Sequence, residues 1–324
     1  VAHIVVLGTG GTISSRTGTD GAAVASDSAE VLVGAVEAGR GHTVEPVDLL
    51  RVNSFNLDLA DLRTIADAVR DQLARKDVGG VVITHGTDTI EETAVLLDLV
   101  HDDDRPVVLT GAQIAPDQDG ADGGRNLGQA ITVAAAPESR GLGVLVSFAG
   151  EVFAARGVRK LHTLRPQPYV AQDAGPIGRL VQGELRYAAR PVRPAPLPRP
   201  TARFDQTRVE TLVLYPGARP DLLNELVRQG VPGVVLAGTG AGNLNRPYVE
   251  AVRAAVSAGT VVALSTRVPH GPIAPLYGCG GGADALRAGA VAVRGLPYTQ
   301  ARMLLALLLS HFPPAEAAAR LQRF

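Results

Sequence analysis

The chain has 324 residues, 46% of them hydrophobic and 19% charged, with a net charge of −1. These proportions exclude a disordered chain and give enough apolar material for a core without staples, and the near-neutral balance argues against nucleic acid or an anionic membrane as a partner. The one cysteine, Cys279, excludes an internal disulfide and a zinc site of the cysteine-cluster kind.

A strand is predicted over residues 3–7, ending in Gly8-Thr9-Gly10-Gly11-Thr12. A helix follows over 28–38 with Ser28 as its N-cap, then a strand over 43–49. Over 60–76, Leu62, Ile65, Ala66, Val69 and Leu73 recur at helical spacing. Strands over 80–84, 106–110 and 143–148 alternate with helices over 91–100 and 124–135. That alternation predicts a mostly parallel sheet covered on both faces. The rhythm breaks at residues 191–200, where five of ten are proline, a composition that favours an extended, semi-rigid linker. It resumes with strands over 211–215, 233–237 and 261–265 and helices over 220–229, 247–258, 283–288 and 299–310. The expected division is an α/β domain at 1–190, a proline-rich linker at 191–207 and a second α/β domain at 208–324. No apolar run approaches the roughly 18 residues of a membrane span. No basic segment leading into a long apolar one opens the chain, so a cytoplasmic location is expected unless a leader has been removed.

Of 31 basic residues only Lys76 and Lys160 are lysine. Burial can drive a lysine neutral, whereas an arginine stays charged, so a retained lysine is a candidate for proton transfer; drift would also leave a few behind. Lys76 precedes Asp77 at a helix end and reads as solvated.

Gly8, Gly10 and Gly11 close the first strand. A dinucleotide fingerprint would need glycine where Ile13 stands, and a phosphate loop would need a nearby lysine. What remains is a tight turn that either only reverses the chain or presents Thr12 at the carboxyl edge of the sheet, where open α/β sheets bind ligands. The segment Thr84-His85-Gly86-Thr87-Asp88-Thr89 repeats the arrangement after another strand. There Asp88 or Thr89 also suits a helix N-cap.

Taken together these segments resemble the bacterial homo-oligomeric L-asparaginase/L-glutaminase family. Gly8-Thr9-Gly10-Gly11-Thr12-Ile13 is similar to its first signature, and residues 83–93, Ile-Thr-His-Gly-Thr-Asp-Thr-Ile-Glu-Glu-Thr, to its second. Further similarity lies in residues 106–112, in Arg156-Gly157-Val158-Arg159-Lys160, in residues 238–244 and in Arg267-Val268-Pro269. The resemblance implies a larger N-terminal domain with a flavodoxin-like sheet and a smaller C-terminal α/β domain. It implies hydrolysis of a side-chain amide to a carboxylate and ammonia, without metal or organic cofactor, in homodimers or homotetramers whose sites lie between subunits. It makes the chain an expected L-asparaginase with Thr12 as nucleophile and with Thr87, Asp88 and Lys160 as a second catalytic unit. It also implies that Ser54, Thr87, Asp88, Ala112 and Asn243 bind substrate, Ser54 on the carboxylate and Asp88 or Asn243 on the ammonium.

The chemistry is consistent with those residue types. A threonine hydroxyl is a poor nucleophile at neutral pH and needs a base within reach. A lysine serves as that base only where its surroundings favour the uncharged form.

The sequence also departs from the family pattern. Secretory-type members carry a lid tyrosine soon after the first threonine; here no tyrosine precedes Tyr169, so the hydroxyl would come from Ser14, Ser15, Thr17 or Thr19 or from a partner chain. Phe55 stands where those members place glutamine, and no acidic residue follows Pro269 until Asp284; Tyr277 is the candidate substrate-binding residue that would reach a neighbour's site and replace the missing tyrosine or glutamate. A thinner ammonium clamp predicts low glutaminase activity. Two alternatives remain: an amino-acid sensor with this fold and little turnover, and an ammonia-supplying subunit of an amidotransferase. The near-neutral charge argues against the latter.

Overall fold

The computed structural model describes residues 1–18, 23–34, 36, 41–171 and 173–324. They form two compact units, Val1–Leu197 and Pro198–Phe324.

In the first unit the chain runs through β1 (His3–Gly8), a small hairpin of β2 (Ser15–Thr17) and β3 (Ala23–Ala25), α1 (Ala29–Gly34), β4 (Thr43–Asp48), α2 (Leu59–Leu73), β5 (Val78–Thr84), α3 (Ile90–Val100), β6 (Val107–Thr110), α4 (Gly123–Ala135) and β7 (Val144–Phe148). Strands β4, β1, β5, β6 and β7 lie side by side in that order, all parallel. Every residue of β6 and β7 is buried, and all of β5 except Gly79, as strands covered on both faces require. Ile4 and Val6 pack with Leu127, Ala130 and Ile131 of α4 and Leu32 of α1. The alternation of a strand sends Val5 and Leu7 to the other face, where α2 and α3 lie against the sheet.

Helix α2 shows how the local sequence sets an element. Asp58 caps it, accepting from the Asp61 amide at 2.9 Å while Asp61 accepts from the Asp58 amide at 3.1 Å, a reciprocal capping box. Its buried stripe is Leu62, Ile65, Val69 and Leu73. Ser28 accepts from the Val31 amide at 3.3 Å at the start of α1; of the expected continuation of that helix to residue 38, residues 35, 37 and 38 lie outside the described residues.

The sheet is mixed rather than parallel throughout. After β7 come β8 (Glu151–Ala154), β9 (Val158–Lys160), β10 (Tyr169–Ala171), β11 (Gly178–Val181) and β12 (Glu184–Tyr187). Strands β8, β11 and β12 extend the sheet antiparallel, while β9 and β10 form a separate two-stranded ribbon. The sequence reading placed no element between residues 148 and 191. The reversals rest on two-residue turns with both φ angles positive, Ala149-Gly150 (48° and 84°) and Gln182-Gly183 (52° and 83°), the hairpin geometry that follows strand twist.

Residues 191–200 form no regular element, but they are tied down. Arg193 donates to Asp98 at 3.1 Å and to the His101 carbonyl at 2.7 Å, and the Leu197 amide donates to the Leu99 carbonyl at 2.7 Å. The end of α3 thus finds backbone and charge partners in the proline-rich stretch.

The second unit contains α5 (Ala202–Asp205), β13 (Val209–Val213), α6 (Asp221–Arg228), β14 (Gly233–Gly238), α7 (Arg246–Ser257), β15 (Val261–Thr266), α8 (Gly282–Arg287), β16 (Val291–Ala292), α9 (Tyr298–His311) and α10 (Pro314–Leu321). Its four strands are parallel in the order β13-β14-β15-β16. α9 is buried from Gln300 to Ser310 apart from Arg302, as a helix apolar on nearly all sides must be, and α10, which follows Pro313, was not foreseen.

Candidate active site

The flavodoxin-like strand order reverses its winding between β1 and β5, the position at which doubly wound sheets open a crevice beyond their carboxyl ends. Register keeps the strand ends level: Gly8 pairs with Asp48 on one side and Thr84 on the other, and Thr84 with Thr110. The Thr9 amide and hydroxyl both donate to the Thr84 carbonyl, at 3.1 and 2.9 Å.

The turns beyond these ends touch through glycines. Gly11 has φ +83°, and a Cβ there would fall 2.4 Å from the Gly86 Cα. A Cβ on Gly86 would fall 2.6 Å from Ser54 Oγ. The turns carrying Thr12, Ser54 and Thr87 therefore approach as closely as backbone allows.

Thr12 opens a single 3-10 turn over Thr12–Ser14 and is half-buried. Its hydroxyl has no hydrogen-bond partner among the described residues. Ser14 and Ser15 both donate their hydroxyls to the Gly11 carbonyl, at 3.0 and 2.8 Å, so these two candidates for activating Thr12 are committed to shaping its turn. The Thr17 side chain and Thr19 lie outside the described residues.

Thr87 is buried and held from three directions. Lys160 Nζ donates to its Oγ1 at 2.7 Å, its own hydroxyl donates to Gln113 Oε1 at 3.1 Å, and the Tyr169 hydroxyl donates to its carbonyl at 2.7 Å. Lys160 Nζ also donates to Asp88 Oδ1 at 2.8 Å. The Lys160 side chain is 14% exposed and that of Asp88 55%, so the pair joins a largely buried ammonium to a carboxylate open to solvent. Such an Asp88 keeps capacity for a further cation.

The backbone under Lys160 is anchored too. Its amide donates to Glu91 Oε2 at 2.8 Å, and Glu91, buried in the first turn of α3, also faces Arg159 at 3.9 Å. Tyr169 packs its ring against Phe148, with centroids 5.2 Å apart. Burial, reinforced by Glu91, Asp88 and Glu92, pushes the Tyr169 phenol well above its usual value of 10, so it remains a donor.

His85, inside the second signature, is not a proton carrier at neutral pH. Burial lowers its pKa to about 4. Its Nδ1 lies 2.8 Å from the Gly86 carbonyl and its Nε2 2.9 Å from Thr93 Oγ1. A carbonyl can only accept, which puts the hydrogen on Nδ1 and leaves Nε2 to accept from Thr93.

Ala112 is buried in the turn after β6, beside Gly111, whose Cβ would come within 3.4 Å of Thr87 Cγ2. Asp122 fixes this turn by accepting from the Gln113 and Ile114 amides at 3.0 and 2.9 Å, and Asn126 donates to the Gly111 carbonyl at 3.0 Å.

Asn243 and Tyr277 belong to the second unit. Asn243 closes a turn after β14 with Thr239, and its Oδ1 accepts from the Gly282 amide at 3.1 Å. Tyr277 is 61% exposed, and its carbonyl accepts from the Ala283 amide at 3.1 Å. Within the first unit, the structure therefore gathers Thr12, Ser54, Thr87, Asp88, Ala112 and Lys160 at one sheet edge. It adds Gln113, Tyr169 and Glu91, which sequence reasoning missed: Glu91 lies inside the second signature but reads as an ordinary acidic residue in a first helical turn.

The chain is similar to known proteins over nearly its whole length. The family model "Asparaginase, N-terminal" matches residues 3–193 and "Glutaminase/Asparaginase C-terminal domain" matches residues 208–321. A probable L-asparaginase of Deinococcus radiodurans is 35% identical over 318 residues, covering 95% of this chain and 93% of that protein. L-asparaginase 2 of Escherichia coli is 33% identical over 320 residues, covering 95% and 89%. The crystal structure of a probable cytoplasmic L-asparaginase from Campylobacter jejuni superposes with a TM-score of 0.89 at 28% identity, covering all of both chains. With both of its domains matched and its fold shared, the chain belongs to the asparaginase/glutaminase family of amidohydrolases.

Proposed function

We propose that this chain is an L-asparaginase that hydrolyses L-asparagine to L-aspartate and ammonia through a threonine nucleophile. The observation that carries the reading is the triad around Thr87: Lys160 Nζ within hydrogen-bond distance of both Thr87 Oγ1 and Asp88 Oδ1, at 2.7 and 2.8 Å. A lysine in contact with a hydroxyl and steadied by a carboxylate is a unit able to pass protons beside a nucleophile, which a threonine hydroxyl needs.

In this scheme Thr12 Oγ1 attacks the side-chain amide carbon, and its proton leaves with the amine as ammonia. Water then attacks the resulting ester, releasing aspartate and restoring the Thr12 hydroxyl. Thr87, Asp88 and Lys160 carry the proton between hydroxyl, leaving group and water. Ser54 binds the α-carboxylate, and the open side of Asp88 takes the α-ammonium. The Ala112 segment lines the amide end. Asn243 and Tyr277 complete the site from another copy in a homodimer or homotetramer. Phe55, exposed beside Ser54, supplies no polar group for the ammonium, and low glutaminase activity follows. A cytoplasmic location belongs to the same proposal, supported by the Campylobacter likeness; among the described residues no helix is long and apolar enough to cross a membrane.

The test is ammonia release from L-asparagine, L-glutamine and D-asparagine by the purified protein, with Thr12→Ala and Thr87→Ala alongside. Turnover of L-asparagine that falls by orders of magnitude in both variants is expected. Full activity in either variant would remove that threonine from the mechanism, and no turnover with asparagine still bound would favour the sensor reading.

A further inference from the structure

Gln113 uses its whole side chain. Nε2 donates to the Thr163 carbonyl at 3.1 Å and the Arg165 carbonyl at 3.0 Å. Two carbonyl acceptors demand the two amide hydrogens, so Oε1 must be the end that faces Thr87. There it takes the Thr87 hydroxyl hydrogen at 3.1 Å. Gln113 cannot easily swing away, because its amide is bound by Asp122 and its Nε2 by the loop after β9.

A hydroxyl has a single hydrogen. While it points to Gln113, Thr87 Oγ1 offers its lone pairs to Lys160, which suits an ammonium. An uncharged Lys160 amine would instead need a donor for its own lone pair, and the Thr87 hydrogen would have to leave Gln113 to serve it. We infer that Gln113 is a positioning residue that holds the Thr87 hydrogen away from Lys160 and so sets the pH at which the Thr87–Lys160 pair gives up its extra proton. Its consequence for turnover rests on the proposed amide hydrolysis; the hydrogen-bond competition does not.

Other groups around Lys160 act on the same balance. Asp88 pairs with it from the turn after β5, Glu91 accepts from its amide from α3, Tyr169, itself under the influence of Glu92, stands opposite it in β10, and Arg159 precedes it in β9. All of these stay constant when only residue 113 is changed, so the comparison between variants isolates Gln113.

The chain holds only two lysines, Lys160 and the exposed Lys76. Protein labelled with ¹³C,¹⁵N-lysine therefore gives two side-chain signals whose titration can be followed by NMR without any assay of activity. In Gln113→Leu the buried Thr87 hydrogen loses its acceptor whenever Lys160 is charged, and the Lys160 midpoint is expected to fall by on the order of one pH unit. In Gln113→Glu a carboxylate accepts more strongly and adds negative charge beside the ammonium, and the midpoint is expected to rise. Lys76 stays put in both. A role confined to holding the loop after β9 would move neither midpoint, or both in one direction, and either result overturns the inference. Ammonia release from L-asparagine, measured against pH on the same samples, reads the other question: an inactive wild type sinks the amide hydrolysis while the lysine titrations still decide Gln113.

Discussion

Lys160 and Tyr169 stand opposite each other in the β9–β10 ribbon, and both end on Thr87. Lys160 reaches its side-chain oxygen and Tyr169 its carbonyl, each at 2.7 Å. One rigid pair of cross-strand neighbours thus fixes both the base and the backbone of the residue it serves. That arrangement makes the ribbon, outside the main sheet, part of the catalytic apparatus we propose.

Lys160→Met is expected to lower kcat for L-asparagine by about 10³-fold or more, in the range seen when a general base or nucleophile-activating group is lost. Lys160→Arg keeps the charge beside Asp88 but holds its proton at all working pH values, so it should not recover activity. Steady-state ammonia release decides the point: substantial activity in the arginine variant would show that positive charge, rather than proton transfer, is what the site requires.

Tyr169→Phe keeps the ring against Phe148 and removes only the hydroxyl. The buried Thr87 carbonyl then loses its donor, which should reduce stability by about 1–3 kcal/mol and slacken the turn that presents Thr87. Urea unfolding and kcat measured together test this. A variant with unchanged stability and unchanged turnover would mean that the ribbon does not steady Thr87 through this bond.

The parallel centre of the first unit was readable because its signals are local: buried runs end in glycine turns, and amphipathic helices lie between them. The same turns pointed to Thr12 and Thr87. The antiparallel extension was not readable, since Ala149-Gly150 and Gln182-Gly183 lack the asparagine or aspartate that usually announces a tight hairpin. Nor were Gln113, Glu91 and Tyr169 as partners. They meet Thr87 or Lys160 across 26, 69 and 82 residues, and such pairings follow from strand order rather than from spacing. Ser14 and Ser15 show the converse: their proximity to Thr12 in sequence suggested activation, but their hydroxyls turn to the Gly11 carbonyl.

Gly11→Ala should damage the site more than its small size suggests. The added Cβ meets the Gly86 backbone at 2.4 Å and must also be accommodated at φ +83°. That φ, with ψ −178°, lies in a region essentially reserved for glycine and costs another residue about 1–3 kcal/mol, and the glycine turns bearing Thr12 and Thr87 must separate. Displacement of reacting groups by about 1 Å can lower turnover roughly 100-fold. Gly124→Ala, in α4 with open space around it, provides the contrast: helix propensity should leave it neutral or up to about 1 kcal/mol more stable. Equal behaviour of the two variants in thermal unfolding and turnover would refute the close-approach argument.

His85 provides a pH test that does not depend on the reaction. Burial lowers its pKa from 6.5 to about 4, so the folded protein binds its proton more weakly than the unfolded chain does. The associated stability is fully present above pH 6.5 and is lost as pH falls through the window to about 4, amounting to about 3 kcal/mol over the whole span. His101, lowered chiefly by burial and next by Arg193, and carboxylates held low by their partners, Glu45 by Arg75 foremost, add losses of the same sign, so the wild-type slope is shared among several groups. His85→Gln removes the titration of one of them. Its stability at pH 7 should be lower, because the bonds to the Gly86 carbonyl and Thr93 are disturbed, yet it should lose less on going to pH 4.5. Urea unfolding at the two pH values gives both differences, and parallel acid losses in variant and wild type would mean that His85 is not held neutral by the fold.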